Sequence, residues 1–193
     1  MLGRGFYQRP TVDVARDLLG KIVVRRNGEG DVAVRLTEVE AYVGVDDPAC
    51  HTSGGRRTER VRSMWGEAGH AYVYLIYGLH HCLNVVTVGE GVGEAVLIRA
   101  GVVVSGWDLV RCRRGARVAD RSLTDGPGKL CQALAVTRGD DGIDLCDPVG
   151  GLWICDDGFA VEESRCERHA RVGVEHAGEA ATWPLRFLYD PDS

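Results

Sequence analysis

No run of about 18 apolar residues, the length a membrane-spanning helix needs, occurs in this chain. Met1 to Pro10 also lacks the apolar core of a signal peptide. A soluble, cytoplasmic protein with no membrane partner is therefore expected. No Cys-x-x-Cys pair is present among the seven cysteines (50, 82, 112, 131, 146, 155, 166), which are odd in number and scattered. That pattern suits reduced, mostly buried thiols better than a disulfide framework. His70, His80, His81, His169 and His176 show no metal-ligand spacing with an obvious fourth partner, so no zinc site is read. Repeats, linkers and low-complexity segments are absent. Lysine is nearly absent too: Lys21 and Lys129 are the only two, and arginine supplies 21 of the 23 bases.

What is present is a globular composition, 45% hydrophobic and 26% charged over 193 residues, which excludes disorder, collagen-like repeats and coiled coil. The length fits one domain spanning residues 1–193. A net charge of −5 argues at first against nucleic acid, whose phosphates are bound mainly by Lys and Arg. The distribution reverses that argument. Nine acids against two bases between Asp140 and Arg168 give that stretch a net −7 and leave +2 for the rest. Arginines cluster in the remainder, at Arg56, Arg57, Arg60 and Arg62, and again at Arg111, Arg113, Arg114 and Arg117. Each cluster is either a solvated polar face or an electrostatic footprint for an anionic partner.

A short helix is expected after Pro10, with Thr11 as N-cap and Gly20 as stop. Strands are expected over Lys21 to Arg26 and Asp31 to Tyr42, joined by an Asn27-Gly28 turn. Gly44 to Gly69 reads as a long polar loop, a length usually functional in a compact domain. Ala71 to Tyr77 and Cys82 to Val88 read as paired strands bent at Gly78, and Glu94 to Val104 as another. Helices are expected over Gly106 to Ala116 and from Pro127, since proline suits the first helical position. The acidic segment reads as turns, and Arg171 to Tyr189 as short strands around Gly173 and Phe187.

The two-residue period of a strand places Thr37, Val39, Ala41 and Val43 on one face and Glu38, Glu40 and Tyr42 on the other. Two readings stay open: a solvent-facing strand edge, or a water-activating carboxylate beside a ring that stacks on something flat. Tyr72 and Tyr74 share a face, whereas Tyr77 has the opposite parity and directly precedes Gly78. Either these tyrosines cap the core of a hairpin, or Tyr77 is an exposed wedge of the kind that unstacks base pairs from the minor groove. His51 follows the Asp46-Asp47 pair in the polar loop, where a lone histidine is more often incidental than catalytic. Gly126-Pro127-Gly128-Lys129 would present backbone amides to a phosphate, a weak signal by itself.

Six ordered blocks carry a resemblance. They are Thr37-Glu38-Val39-Glu40-Ala41-Tyr42; His51-Thr52-Ser53-Gly54-Gly55-Arg56-Arg57-Thr58 with Arg60 and Arg62; Tyr72-Val73-Tyr74-Leu75-Ile76-Tyr77-Gly78 leading to Asn84; Leu97-Ile98-Arg99-Ala100; Gly126-Pro127-Gly128-Lys129-Leu130-Cys131-Gln132-Ala133-Leu134; and Arg171-Val172-Gly173-Val174 with His176-Ala177-Gly178 and Pro184-Leu185-Arg186-Phe187. From about Tyr7 to Phe187 the chain resembles the alkyladenine (3-methyladenine) DNA glycosylases.

The resemblance implies an α+β fold: a single compact domain around a curved, mostly antiparallel, open-barrel-like β-sheet with flanking helices. It implies a monomeric, monofunctional DNA glycosylase without metal or cofactor. Such an enzyme flips alkylated or deaminated purines out of duplex DNA, among them 3-methyladenine, 7-methylguanine, hypoxanthine and ethenoadenine. By the same match Glu40 deprotonates the attacking water, and Arg99 holds that water and an adjacent phosphate. Tyr42, His51 and Tyr74 sandwich the flipped base, with His51 sensing the purine 6-substituent, and Asn84 collides with the 2-amino group of guanine. Tyr77 is the wedge with Leu79 beside it, and Arg56, Arg57 and Lys129 contact DNA. No lysine matches a Schiff-base position, so no strand cleavage is expected. The long basic N-terminal extension of larger relatives is missing, and lower nonspecific DNA affinity is expected.

Two other functions are weighed. Glu38 and Glu40, about 7 Å apart as same-face strand neighbours, fit an inverting carbohydrate glycosidase. A noncatalytic binder of distorted duplex fits the arginines and leaves Glu40 without a task. The acidic segment is expected to face away from the duplex.

Overall fold

A computed structural model describes residues 1–191. Alternating apolar residues build its long central strand, β2 (Gly30–Tyr42), in which Val32, Val34 and Leu36 are buried, and then Val39 and Ala41. The buried positions change from even to odd numbers because the strand carries a bulge. Leu36 pairs with Gly101 and Glu38 with Ala100, so Thr37 is the extra residue. A compensating bulge follows on β5 (Glu94–Ser105): Glu38 pairs with Ala100 and Val39 with Ile98, which skips Arg99. A bulge inserts one unpaired residue and re-aims side chains. Thr37 is thus the bulge residue and not a member of the Val39 and Ala41 face.

β1 (Ile22–Asn27), β3 (Ala71–Ile76), β4 (His80–Thr87) and β6 (Leu152–Cys155) complete the order β3-β4-β5-β2-β1-β6. Two short strands, β7 (Glu167–His169) and β8 (Arg186–Leu188), join through β8, which pairs with β2 over Glu38–Glu40. Every pairing is antiparallel, and the sheet curls into a half-barrel. Helices α1 (Arg4–Tyr7) and α2 (Thr11–Leu18) pack beside it, α2 burying Val14, Ala15 and Leu18. Of α3 (Trp107–Arg114) and α4 (Pro127–Ala133), α4 buries Leu130, Cys131 and Ala133 against β4 and β5. No helix among the described residues is long and apolar enough to cross a membrane.

The acidic segment is a strap. Its first part hydrogen-bonds the free edge of β3, Ala71 donating to Ile143 O and Gly142 donating to Ala71 O, each at 2.8 Å. Its middle forms β6 on the edge of β1. Edges left bare invite pairing with other chains, and the strap covers both. Its acids bind body cations: Asp140 to Arg25, Asp144 to Arg4, Asp156 to Lys21 and Asp157 to Arg35, all within 2.6–2.7 Å.

Local chemistry departs from expectation at four points. Thr11 is the first helical residue and Pro10 the N-cap; the Thr11 hydroxyl instead meets the buried Thr87 Oγ1 at 2.6 Å and donates to Glu94 Oε2 at 2.5 Å. The first hairpin closes at Asn27 and Gly30, with Asn27 Oδ1 accepting from the Glu29 amide, so the turn lies one residue later than the Asn-Gly pair suggests. Gly44 to Gly69 contains 3₁₀ turns and packs its own apolar cluster of Cys50, Val61, Met64 and Trp65 under Tyr72, Val86 and Ala95. Gly173 lies in no strand, whereas Phe187 does.

Gly101 sits opposite the β2 bulge, and a Cβ there would lie 2.4 Å from Arg35 O and 2.6 Å from Val34 Cγ1. Gly101→Ala is expected to destabilise the fold by about 1–3 kcal/mol through overpacking. Thermal denaturation measures this, and an unchanged Tm would show that the bulge yields.

Candidate active site

Between β2, β3, β4, β5, the 44–69 loop and the turn at 172–176 opens a cavity of about 240 Å³. Tyr42, His51, Tyr74, Asn84 and Arg99 line it, and Tyr77 stands at its rim. These residues, proposed from sequence, converge on one space.

Glu40 is 0% exposed and does not itself line the cavity; it is bound by Tyr42, Arg99 and Val172, which do. β2 is paired at this level with β5 on one side and β8 on the other. The Glu40 carboxylate is held by donors. The Tyr42 hydroxyl donates to Oε2 at 2.9 Å, the Val172 amide donates to Oε1 at 2.8 Å, and Arg99 Nη1 stands 3.4 Å from Oε1. Arg99 reaches this position from its bulge and also binds Glu38 through Nε at 2.9 Å. Arg186 completes Glu38 at 3.0 Å. Burial raises the Glu40 carboxyl above its ordinary value, opposed by Arg99, the Val172 amide and the Tyr42 hydroxyl, with Glu38 adding to the rise. Burial and the Glu40 carboxylate keep the Tyr42 phenol protonated.

The walls are aromatic. His51 Nδ1 lies 2.8 Å from the Tyr72 hydroxyl, and the His51 and Tyr74 rings meet edge to face with centroids 4.6 Å apart. Asn84 is buried, its amide nitrogen donating to Tyr72 O at 2.9 Å and lying 3.4 Å from Cys82 O, which fixes its orientation at the cavity wall.

The β3–β4 hairpin ends in a turn with Tyr77 (φ 53°) and Gly78 (φ 69°) both left-handed. Two consecutive positive-φ residues match the twist of the flanking strands, a conformation glycine adopts freely and tyrosine does not. Tyr77 is 86% exposed and Leu79 76%. Leu79, Arg56, Arg57 and Lys129 lie outside the cavity. The Arg57 guanidinium stacks 3.9 Å from the Trp65 ring, whose Nε1 donates to Arg56 O, and Lys129 pairs with Asp125 at 2.7 Å. No residue from 140–168 lines the cavity.

Several residues here were not singled out for these places by the sequence. Arg60 lines the cavity beside Tyr74, donating to Leu75 O. Tyr72 orients His51. Asp47 and Arg171 form a wholly buried ion pair, with Arg171 4.7 Å from the Tyr42 ring. Only the Asp46-Asp47 doublet and the Arg171-Val172-Gly173-Val174 block hinted at them.

His51 is held down to about 4 by burial, then by Arg60, Arg56 and His176. The ring therefore stays neutral where a free imidazole, titrating near about 6.5, would charge. Since the unfolded chain binds that proton first, this residue's stabilising contribution is complete above about 6.5 and declines as pH falls toward 4. An NMR titration of the His51 ring is expected to show no inflection between about pH 5 and 8. A midpoint near the free value would contradict the neutral assignment.

Comparison with known proteins agrees over the full length. The family model for methylpurine-DNA glycosylase matches residues 5–193. A protein of Methanocella arvoryzae named "Putative 3-methyladenine DNA glycosylase" is 48% identical over 100% of this chain and 94% of its own length. Proteins bearing the same name in Bdellovibrio bacteriovorus and Streptomyces avermitilis are 45% and 44% identical, covering 97% and 99% of this chain and 94% and 88% of their own lengths.

Proposed function

The chain belongs to the methylpurine-DNA glycosylase family, and from that membership we propose that it excises alkylated or deaminated purines from duplex DNA by hydrolysis of the N-glycosidic bond. The observation that carries this reading is Glu40, a wholly buried carboxylate bound by three residues, Tyr42, Arg99 and Val172, that line an aromatic-walled cavity.

A base inside the duplex cannot reach such a cavity. It has to be extruded, at a cost of a few kcal/mol that is least for damaged or mispaired bases. Tyr77, projecting from the hairpin tip with Leu79, is the wedge that fills the vacated step. Tyr42, His51 and Tyr74 enclose the extruded ring, and aromatic faces attract the positive charge of an alkylated purine. If Tyr72 donates to His51 Nδ1, the neutral imidazole keeps its proton on Nε2, a donor suited to an acceptor at the purine 6-position. Asn84, locked by its backbone bonds, stands where a guanine 2-amino group would collide. Arg56, Arg57 and Lys129 face phosphates.

Each Glu40 oxygen has two lone pairs, and Oε2 accepts one bond from Tyr42, which leaves room for a water proton. The ionised carboxylate takes that proton as the water attacks the sugar carbon, with Arg99 positioning the water and a neighbouring phosphate. The bond's electrons leave with the purine. A cationic purine departs as a neutral base, so for it one carboxylate and one water suffice; a neutral purine such as hypoxanthine departs as an anion and takes up a proton from solvent. Glu38 takes no part as an acid: Arg99 bridges it to Glu40 and Arg186 binds it again, which removes the gap an inverting carbohydrate glycosidase reserves for its water. The protein acts as a cytoplasmic monomer in this reading.

Incubation with duplexes carrying 3-methyladenine, 7-methylguanine, hypoxanthine or ethenoadenine is expected to release free base. No strand cleavage should accompany it, since no lysine lines the cavity. Glu40→Gln should slow release by roughly 10²–10⁴-fold while the protein still binds the lesion duplex; undiminished release would remove Glu40 as the base. The rate is expected to fall as pH drops through the Glu40 midpoint. Because burial raises that midpoint, the fall should begin above the ordinary carboxylate range. A pH profile flat down to about pH 4 would contradict it.

A further inference from the structure

We propose that the buried pair of Asp47 and Arg171 is the positioning device for the catalytic carboxylate, fixing two of the three groups that hold Glu40 in place, the Tyr42 hydroxyl and the Val172 amide. The inference rests on the reading of Glu40 as the base. Asp47 accepts from the Val43 amide at 3.2 Å, the Ala49 amide at 3.0 Å and both terminal nitrogens of Arg171, at 2.5 and 2.8 Å. Arg171 in turn donates to Ala41 O at 3.0 Å and Ala180 O at 3.4 Å, and its guanidinium covers the Tyr42 ring at 4.7 Å. One planar cation thereby joins the end of β2, the 43–49 turn and the segment leading to Ala180.

The consequence falls on Glu40. Tyr42, under the guanidinium, donates to Oε2, and Val172, the next residue after Arg171, donates its amide to Oε1. Neither Asp47 nor Arg171 lines the cavity or hydrogen-bonds Glu40. They act through others and are positioning residues. A pair serving the fold alone would sit anywhere in the core; this one sits against the donors to both oxygens of one carboxylate.

Arg171→Lys tests the idea, because an ammonium keeps the charge but cannot hold two Asp47 oxygens, Ala41 O and the Tyr42 face at once. The expected result is a single-turnover release rate lowered by roughly 10- to 100-fold, in line with a small misplacement of a catalytic group. Affinity for lesion duplex should fall less than the rate, because Tyr42 is one of three rings that enclose the base, whereas its hydroxyl and the Val172 amide together hold Glu40. The acid limb of the pH–rate profile should move to higher pH, because the amide and hydroxyl that favour the charged carboxylate are loosened. The Arg171 charge also bears on Glu40 and is kept by lysine; the other groups facing Glu40 are Arg99, Glu38 with its partner Arg186, and Cys82, all left in place by the substitution.

A folded Arg171→Lys protein with unchanged rate and limb overturns the proposal, as does a slower one whose limb does not move. If Arg171→Lys does not fold, Asp47→Asn is read the same way, and failure of both to fold assigns the pair to stability alone. Glu40→Gln in the same series separates the two ideas. Full activity of Glu40→Gln removes the base itself, whereas an inactive Glu40→Gln beside an unaffected Arg171→Lys removes only the positioning role.

Discussion

An ionised carboxylate inside a β-sheet must have partners for its charge and its lone pairs, because an unpaired buried charge costs several kcal/mol or more. Glu40 meets that requirement with three donors drawn from three places: Arg99 across the sheet, Tyr42 two residues along its own strand, and the Val172 amide from a distant turn. Much of the surrounding architecture follows from delivering them. The paired bulges at Thr37 and Arg99 switch which face of β2 is apolar and aim the guanidinium between two glutamates. β8 pairs with the other side of β2 at the level of Glu40, and the carboxylate meets the cavity through Tyr42, Arg99 and Val172, which line it.

The strap answers a separate need. A curled sheet has two edges, and the 140–157 stretch bonds both while its acids neutralise Arg4, Lys21, Arg25 and Arg35. The overall charge of −5 is thus weighted by acids already engaged with basic side chains of the body. Arg56, Arg57 and Arg60, on the loop beside the cavity, make no ion pair among the described residues. An acidic protein can in this way present a cationic working face.

The parity of Glu38, Glu40 and Tyr42, the hairpin bent at Gly78 and the start of α4 at Pro127 were all legible, because each depends on local period or local backbone preference. Whether Glu40 faced solvent or a neighbour was not, since the period of a strand says nothing about what lies on either side of it. The β6 residues Leu152-Trp153-Ile154-Cys155 were hidden among turns and acids; four residues are too few for alternation to stand out. The link between Asp47 and Arg171 spans 124 residues and leaves no local trace. Thr11 looked like a cap by type, and only the packing of β4 and β5 beside it supplied the partners it has. The resemblance reached the cavity residues, but the bulges and the strap had to be seen in three dimensions.

The hairpin tip has one more implication. Tyr77 holds a left-handed backbone that tyrosine seldom takes, in a turn whose geometry is dictated by the ladder of β3 and β4. Its projection is therefore a property of the free protein. Little ordering entropy of the wedge is left for the moment of encounter, and the bending and unstacking in this reading fall on the double helix. Discrimination at that stage then measures how easily each step of the duplex deforms, before any atom of the base has been read.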